Sequence, residues 1–190
     1  MGNRRLGRKR LYGIEKEGQE IDLGAGVGIK DTIARTTQHR LGQELITEIV
    51  VDLGAAASAG LILGGGGDTQ VVGKSGAASQ LGRLSRDKVG VVTEIRAVMT
   101  EVPAGGNTVL DLEMSAAIVN QGGSPGTTVV DTLNAIGVDA SYTNDADVAG
   151  GTGGAGMYLY ICNGSGSSSA AMTAGKLTIY IYGFAVPDDL

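Results

Sequence analysis

Near the C-terminus, in AGKLTIYIYGFAV, Leu177, Ile179 and Ile181 alternate with Thr178, Tyr180 and Tyr182. Side chains two apart share one face of a β-strand, so the segment presents one apolar face and one mixed face only when extended. The same period of two returns in LITEIVVDLG, where Leu45, Thr47, Ile49, Val51 and Leu53 form the core side and Ile46, Glu48, Val50 and Asp52 the other. In VGVVTEIRAVMTEV, Val91, Thr93, Ile95, Ala97 and Met99 oppose Val92, Glu94, Arg96, Val98 and Thr100. In TVLDLEMSAAIV, Leu110, Leu112, Met114 and Ala116 are expected to face in, and Asp111, Glu113 and Ser115 to face out. MYLYICNG is a further strand, while residues 128–138, TVVDTLNAIGV, fit a short helix or a strand equally.

Glycine punctuates these runs, with 33 residues in 190, and no sustained helical period competes with them. The pattern predicts an all-β body, an antiparallel β-sandwich or jelly roll. Pro103-Ala-Gly-Gly-Asn reads as a turn, so Val102 to Asn107 is expected to join the two strands around it as a hairpin. SYTNDADVAGGTGGAG reads as loop, and GSGSSSAAMTAG as a flexible connection of small residues.

Residues 1–30 differ from the rest. Gly2, Gly7, Gly13, Gly18, Gly24, Gly26 and Gly28 recur with few apolar residues between them, so the stretch has little to pack on itself. The expected division is a glycine-rich arm over 1–30 and a β-sandwich body over 31–190. The net charge of −5 conceals an asymmetry. Arg4, Arg5, Arg8, Lys9 and Arg10 give the first ten residues +5 with no acid, and the remainder, with ten basic and twenty acidic side chains, carries −10. A basic arm before an acidic body grips nucleic acid, lies on an acidic protein surface, or stays disordered. No aromatic is interleaved among the five cations, which disfavours nucleic acid. Leu6 stands where a myristoylation signal needs Ser or Thr, no apolar stretch behind the basic start suggests a signal peptide, and no run is long enough to span a membrane.

Candidate chemistry is sparse. LILGGGGDTQVVGKSG approaches the wording of a phosphate-binding loop, with Lys74-Ser75 after Gly73. That motif places its first glycine five residues before the second, where this chain has Asp68, and it needs a helix after the lysine. The following GAASQLGRLSRDKVG is poor helix material. A bendable exposed loop that fits against a neighbouring subunit, with Lys74 as a surface contact, is expected instead. DLGAGVG fails as a dinucleotide fingerprint because Ile29 occupies the third glycine position. His39 is the single histidine and lies outside any nucleophile motif; Gly164-Ser165-Gly166 is only a fragment of one, so an exposed or interface histidine is expected. Asp145 and Asp147 lack the closing Glu of a calcium loop. Cys162 is alone, which excludes an internal disulfide and a cysteine-based zinc set. No catalytic residue, cofactor or metal is therefore expected. Tyr180 and Tyr182, on the mixed face of the last strand, are candidates for subunit contact, because tyrosine joins apolar area to a polar tip.

MGNRRLGRKRLYGIEKEGQ, TEIVVDLG and VTEIRAVMTEVPAGG resemble the small virion structural proteins of marine tailed phages such as cyanophages and pelagiphages. The resemblance implies a virion component and not an enzyme: a capsid decoration, or cement, protein on the outer shell surface, assembled in the host cytoplasm. The expected partners are the major capsid protein, met through Arg4, Arg5, Arg8, Lys9 and Arg10, and further copies of the chain in a homotrimer. Neither membrane nor specific nucleic acid is expected as a partner. A tail, fibre or knob subunit contacting a host is the alternative, and a nucleotide-binding enzyme using Lys74 and Ser75 the remote one.

Overall fold

The alternation at 177–182 places its strand at the centre of the molecule. A computed structural model describes residues 18–29, 34–54, 62–106, 108–133, 135–142, 156–165 and 169–185. Its strands are β1 (Gln19–Glu20), β2 (Ala34–Leu41), β3 (Glu44–Asp52), β4 (Gly82–Leu84), β5 (Val91–Ala104), β6 (Leu110–Ser115), β7 (Thr127–Leu133), β8 (Gly137–Tyr142), β9 (Met157–Asn163) and β10 (Ala174–Phe184). Among the described residues, one short helix, α1 (Arg86–Val89), precedes β5. Six strands form one sheet in the order β1-β2-β3-β10-β5-β8, and four form the other, β4-β9-β6-β7. All pairings are antiparallel.

Four of these pairings are nested: β6 with β7, β5 with β8, β4 with β9 and β3 with β10. The chain from β3 to β10 thus behaves as one long hairpin whose two arms stay paired while it rolls into two sheets. That is the jelly roll, one of the two architectures the strand pattern predicted. β2 and β1 extend the larger sheet beyond β3.

Between the sheets lies one apolar core. Ile49 and Val51 of β3, Leu177, Ile179 and Ile181 of β10, and Ile95, Ala97 and Met99 of β5 meet Leu110, Leu112 and Met114 of β6 and Leu159 and Ile161 of β9. The inward faces of β3 and β10 are the predicted ones. In β5 the register against β10 shifts at three places, one of them near its start. Tyr182 pairs with Glu94 and Gly183 with Val92, so Thr93 is an extra residue, a bulge that brings Val92 into the core and turns Val91 partly out.

Four expectations require correction. β5 and β6 do not form a hairpin. β5 is already flanked by β10 and β8, which leaves no edge for β6, and the chain after Pro103 crosses to the other sheet. The stretch at 128–138 is neither one helix nor one strand, but the end of β7, a turn and the start of β8. Packing also begins before residue 31. Leu23 and Ile29 are buried, and the glycine-rich stretch between them runs beside residues 78–83, with Gly26 N–H donating to Gln80 O at 2.8 Å, Gly28 N–H to Ala78 O at 2.7 Å and Arg83 N–H to Leu23 O at 2.7 Å.

The fourth correction concerns β6. Asp111 and Glu113 do point away from the main core, yet they are only 4% and 1% exposed. A second layer covers the outer face of the four-stranded sheet. The chain between Ser115 and Gly126 crosses that face, while the segment expected to be a bendable exposed loop lies along the edge of β9 as an added strand-like stretch, with Val72 in the core between the sheets. Leu63 and Gly73 bridge each other, Thr69 N–H donates to Asn163 O at 2.8 Å, and Val72 N–H donates to Ile161 O at 2.9 Å. Val71 exchanges bonds with the 122–123 turn, through its N–H to Gly123 O at 2.8 Å and Gly122 N–H to its carbonyl at 3.0 Å. Gly65 is required here, because a Cβ would sit 2.4 Å from the Gln70 carbonyl oxygen. Beneath this layer Val71, Tyr160 and Cys162 form a small apolar cluster. The Tyr160 hydroxyl donates to Ala117 O at 3.1 Å and accepts from Val119 N–H at 2.8 Å.

Burial drives the Cys162 thiol far above its ordinary value, aided by Glu113 and Asp111. We expect it to resist alkylation by iodoacetamide at pH 8 in the native protein and to react on unfolding, because the thiolate is the nucleophile; intact-protein mass spectrometry checks this. Burial likewise raises the Glu113 carboxyl, with Asp111 and Asp68 adding to the shift, and its Oε1 has no hydrogen-bond partner. A carboxyl with a raised folded value holds its proton more tightly folded than unfolded, so its ionisation removes stability as pH climbs from the ordinary carboxylate range through the folded value. Glu113→Gln lacks that loss. Urea unfolding should find its stability advantage over the unsubstituted protein larger at pH 7 than at pH 4.

Candidate interaction face

The two sheets differ on their outer sides. The four-stranded one is covered, whereas the six-stranded one presents rows of side chains in register. One row reads His39, Ile46, Tyr182, Glu94 across β2, β3, β10 and β5. The next reads Thr37, Glu48, Tyr180, Arg96, and a third Arg35, Val50, Thr178, Val98. Asp52, Lys176 and Glu101 close the end. The rows exist because each strand keeps its apolar alternates for the core, and the remainder must then line up across the ladder.

Tyr180 and Tyr182 lie on this face, as their alternation predicted. They are half-buried, because they lean on their neighbours. Their ring centroids are 6.5 Å apart at 31°. The Arg96 guanidinium lies 5.8 Å from the Tyr182 centroid, and its Nε donates to Glu94 Oε1 at 2.6 Å. Glu94 holds the Arg96 guanidinium above its ordinary range. Lys176 Nζ is 3.2 Å from Asp52 Oδ2 and 3.8 Å from Glu101 Oε2, and Asp52 chiefly raises its ammonium. Desolvation, then the Glu48 charge, raises the Tyr180 phenol.

Glu48 is held more loosely than these. The Thr37 and Tyr180 hydroxyls donate to it at 3.5 Å each, and His39 Nε2 stands 4.0 Å away. Val50, 44% exposed, adds apolar surface beside it. Tyr and Arg over half-exposed aliphatics are the composition of protein interfaces.

The other sequence candidates fall elsewhere. Arg4, Arg5, Arg8, Lys9 and Arg10 lie outside the described residues, as do Asp145 and Asp147. Lys74 begins a tight turn, with Ala77 N–H donating to its carbonyl at 3.0 Å, and the chain then runs extended toward β4 with no helix behind it. His39 is a surface histidine beside Glu48. Glu48, Arg96 and Lys176 were not singled out from the sequence, although the same alternation that exposed the tyrosines marks them.

Among the described residues, no helix is long and apolar enough to cross a membrane. Compared with known proteins, the chain matches no family model, no curated protein and no solved structure.

Tyr180→Ala should lower stability by about 1–2 kcal/mol, since a half-buried ring is removed from its neighbours. Lys176→Ala should leave chemical denaturation unchanged, because exposed ion pairs add little.

Proposed function

We propose that the protein is a structural component of a phage virion, a capsid decoration protein that binds the outer surface of the shell and bridges capsomers. The observation that carries this reading is the six-stranded sheet, whose outer face is an ordered mosaic of Tyr180, Tyr182, Arg96, Glu48 and Val50 on a jelly-roll body. Jelly rolls serve as capsid domains and as sugar-binding domains. The five-cation start of the sequence favours the first, since it suits an acidic protein surface. In this role Arg4, Arg5, Arg8, Lys9 and Arg10 lie across acidic patches of the major capsid protein. The tyrosine face joins copies of the chain into a trimer. Many weak contacts repeated over a shell then oppose the pressure of packaged DNA.

Deletion of residues 1–12 tests the arm. The shortened protein should keep its far-UV circular dichroism and thermal transition, because among the described residues the core contacts begin at Ile21. Its binding to undecorated shells, measured by co-sedimentation, should be lost. Undiminished decoration would overturn the role of the arm.

A further inference from the structure

We propose that the outer face of the six-stranded sheet, centred on Glu48, is the docking surface of the chain's own N-terminal arm before it meets any other partner. Three observations converge. The first is where the arm is rooted. Gly18 lies against the His39 imidazole so closely that a Cβ there would sit 2.6 Å from Cε1 and Nε2. His39 belongs to the outer face, and its Nε2 is the atom nearest Glu48. Gly18 continues β1 opposite His39, so the chain before it leaves from the free edge of this sheet, beside the outer face.

The second is charge. Residues 1–17 carry six cations, the five of the first ten residues and Lys16, against Glu15 and Glu17. On the face, the carboxylates of Glu20, Glu48, Asp52, Glu94 and Glu101 outnumber the cations of Arg35, Arg96 and Lys176. Glu94 and Asp52 have close partners, whereas all three contacts of Glu48 lie at 3.5–4.0 Å. A guanidinium or ammonium arriving there gains a charge-assisted bond without breaking a good one.

The third is reach. From β1, where the arm is rooted, to β5 the face spans four strand spacings, about 19 Å. Eight steps of chain lead from Gly18 to Arg10, enough for about 27 Å when extended. The arm crosses the face with length to spare and needs no second molecule.

Docked in this way, the arm covers the tyrosines and occupies its own cations. An acidic partner that draws the arm away uncovers Tyr180 and Tyr182 for a neighbouring copy, so self-association waits for the partner. That consequence rests on the proposed virion role; the docking does not.

Limited trypsin digestion of the full chain tests it, with a synthetic peptide of residues 1–17 as the free reference. Cleavage after Arg8, Lys9 and Arg10 should be slower in the protein by about tenfold at low salt, because proteolysis follows the released population. High salt and Glu48→Gln should each return it toward the peptide rate, with the thermal transition of the variant confirming its fold. Cleavage at the peptide rate in low salt overturns the proposal. Protection that grows with protein concentration overturns it too, by putting the arm on a second copy. Protection indifferent to both salt and Glu48→Gln overturns the carboxylate face as its site. If arm docking holds while the truncated protein still decorates shells, only the virion reading fails.

Discussion

The structure depends on β10 being paired on both sides. From Lys176 to Phe184 it is laddered to β3, and from Ala174 to Phe184 to β5. It therefore joins the last strand of the chain to two strands more than a hundred and some seventy residues earlier. Removing it would leave two ladders of unpaired N–H and C=O groups and strip Leu177, Ile179 and Ile181 from the core. The other nested pairs, β4–β9, β5–β8 and β6–β7, follow from the same closure, because a rolled hairpin has only one register in which both sheets bury their apolar faces.

That closure leaves two outer faces with different fates. On the four-stranded sheet, Tyr160 of β9 and Glu113 of β6 sit beneath the chain between Ser115 and Gly126, which bonds the Tyr160 hydroxyl and the Glu113 carboxylate. The cover is largely backbone. Beside it the 62–73 segment runs along the edge of β9, bonded to Ile161 and Asn163 on one side and to the 122–123 turn on the other. On the six-stranded sheet the outer side chains pair among themselves. A face that carries its own ion pairs and stacked rings can stand in water and still meet a partner, which a bare apolar sheet would do only at the risk of aggregation.

What was legible in the sequence follows from this difference. Local alternation fixes which side of a strand meets the core, so the inner faces of β3 and β10, and Tyr180 and Tyr182 on the outer side, were readable from spacing alone. Alternation says nothing about what lies on the far side. Asp111 and Glu113 look like solvent residues because their cover, at Gly164 and Gly126, comes from backbone that leaves no side-chain pattern. Partnership was equally hidden. Pro103-Ala-Gly-Gly-Asn has the chemistry of a hairpin turn, but whether β6 returns along β5 depends on whether β8 and β10 already hold both of its edges. The four glycines at 64–67 suggest slack when read alone; at Gly65 glycine is the condition for close packing.

The contacts of Glu48 are long for a geometric reason. It lies in the middle of β3, opposite Thr37 on one side and Tyr180 on the other. Cross-strand partners in a ladder are held about 5 Å apart at Cβ, so a hydroxyl on a short threonine stem or a rigid phenol meets the carboxylate only at its limit of reach. Arg96 bonds Glu94 on its own strand, and Lys176 is occupied by Asp52 and Glu101. The cation in the row of Glu48 itself, Arg96, is turned to Glu94, and Arg35 lies in the next row, opposite Val50. A segment free of the ladder can bring a further charge, and Gly18, opposite His39, is where such a segment joins the body.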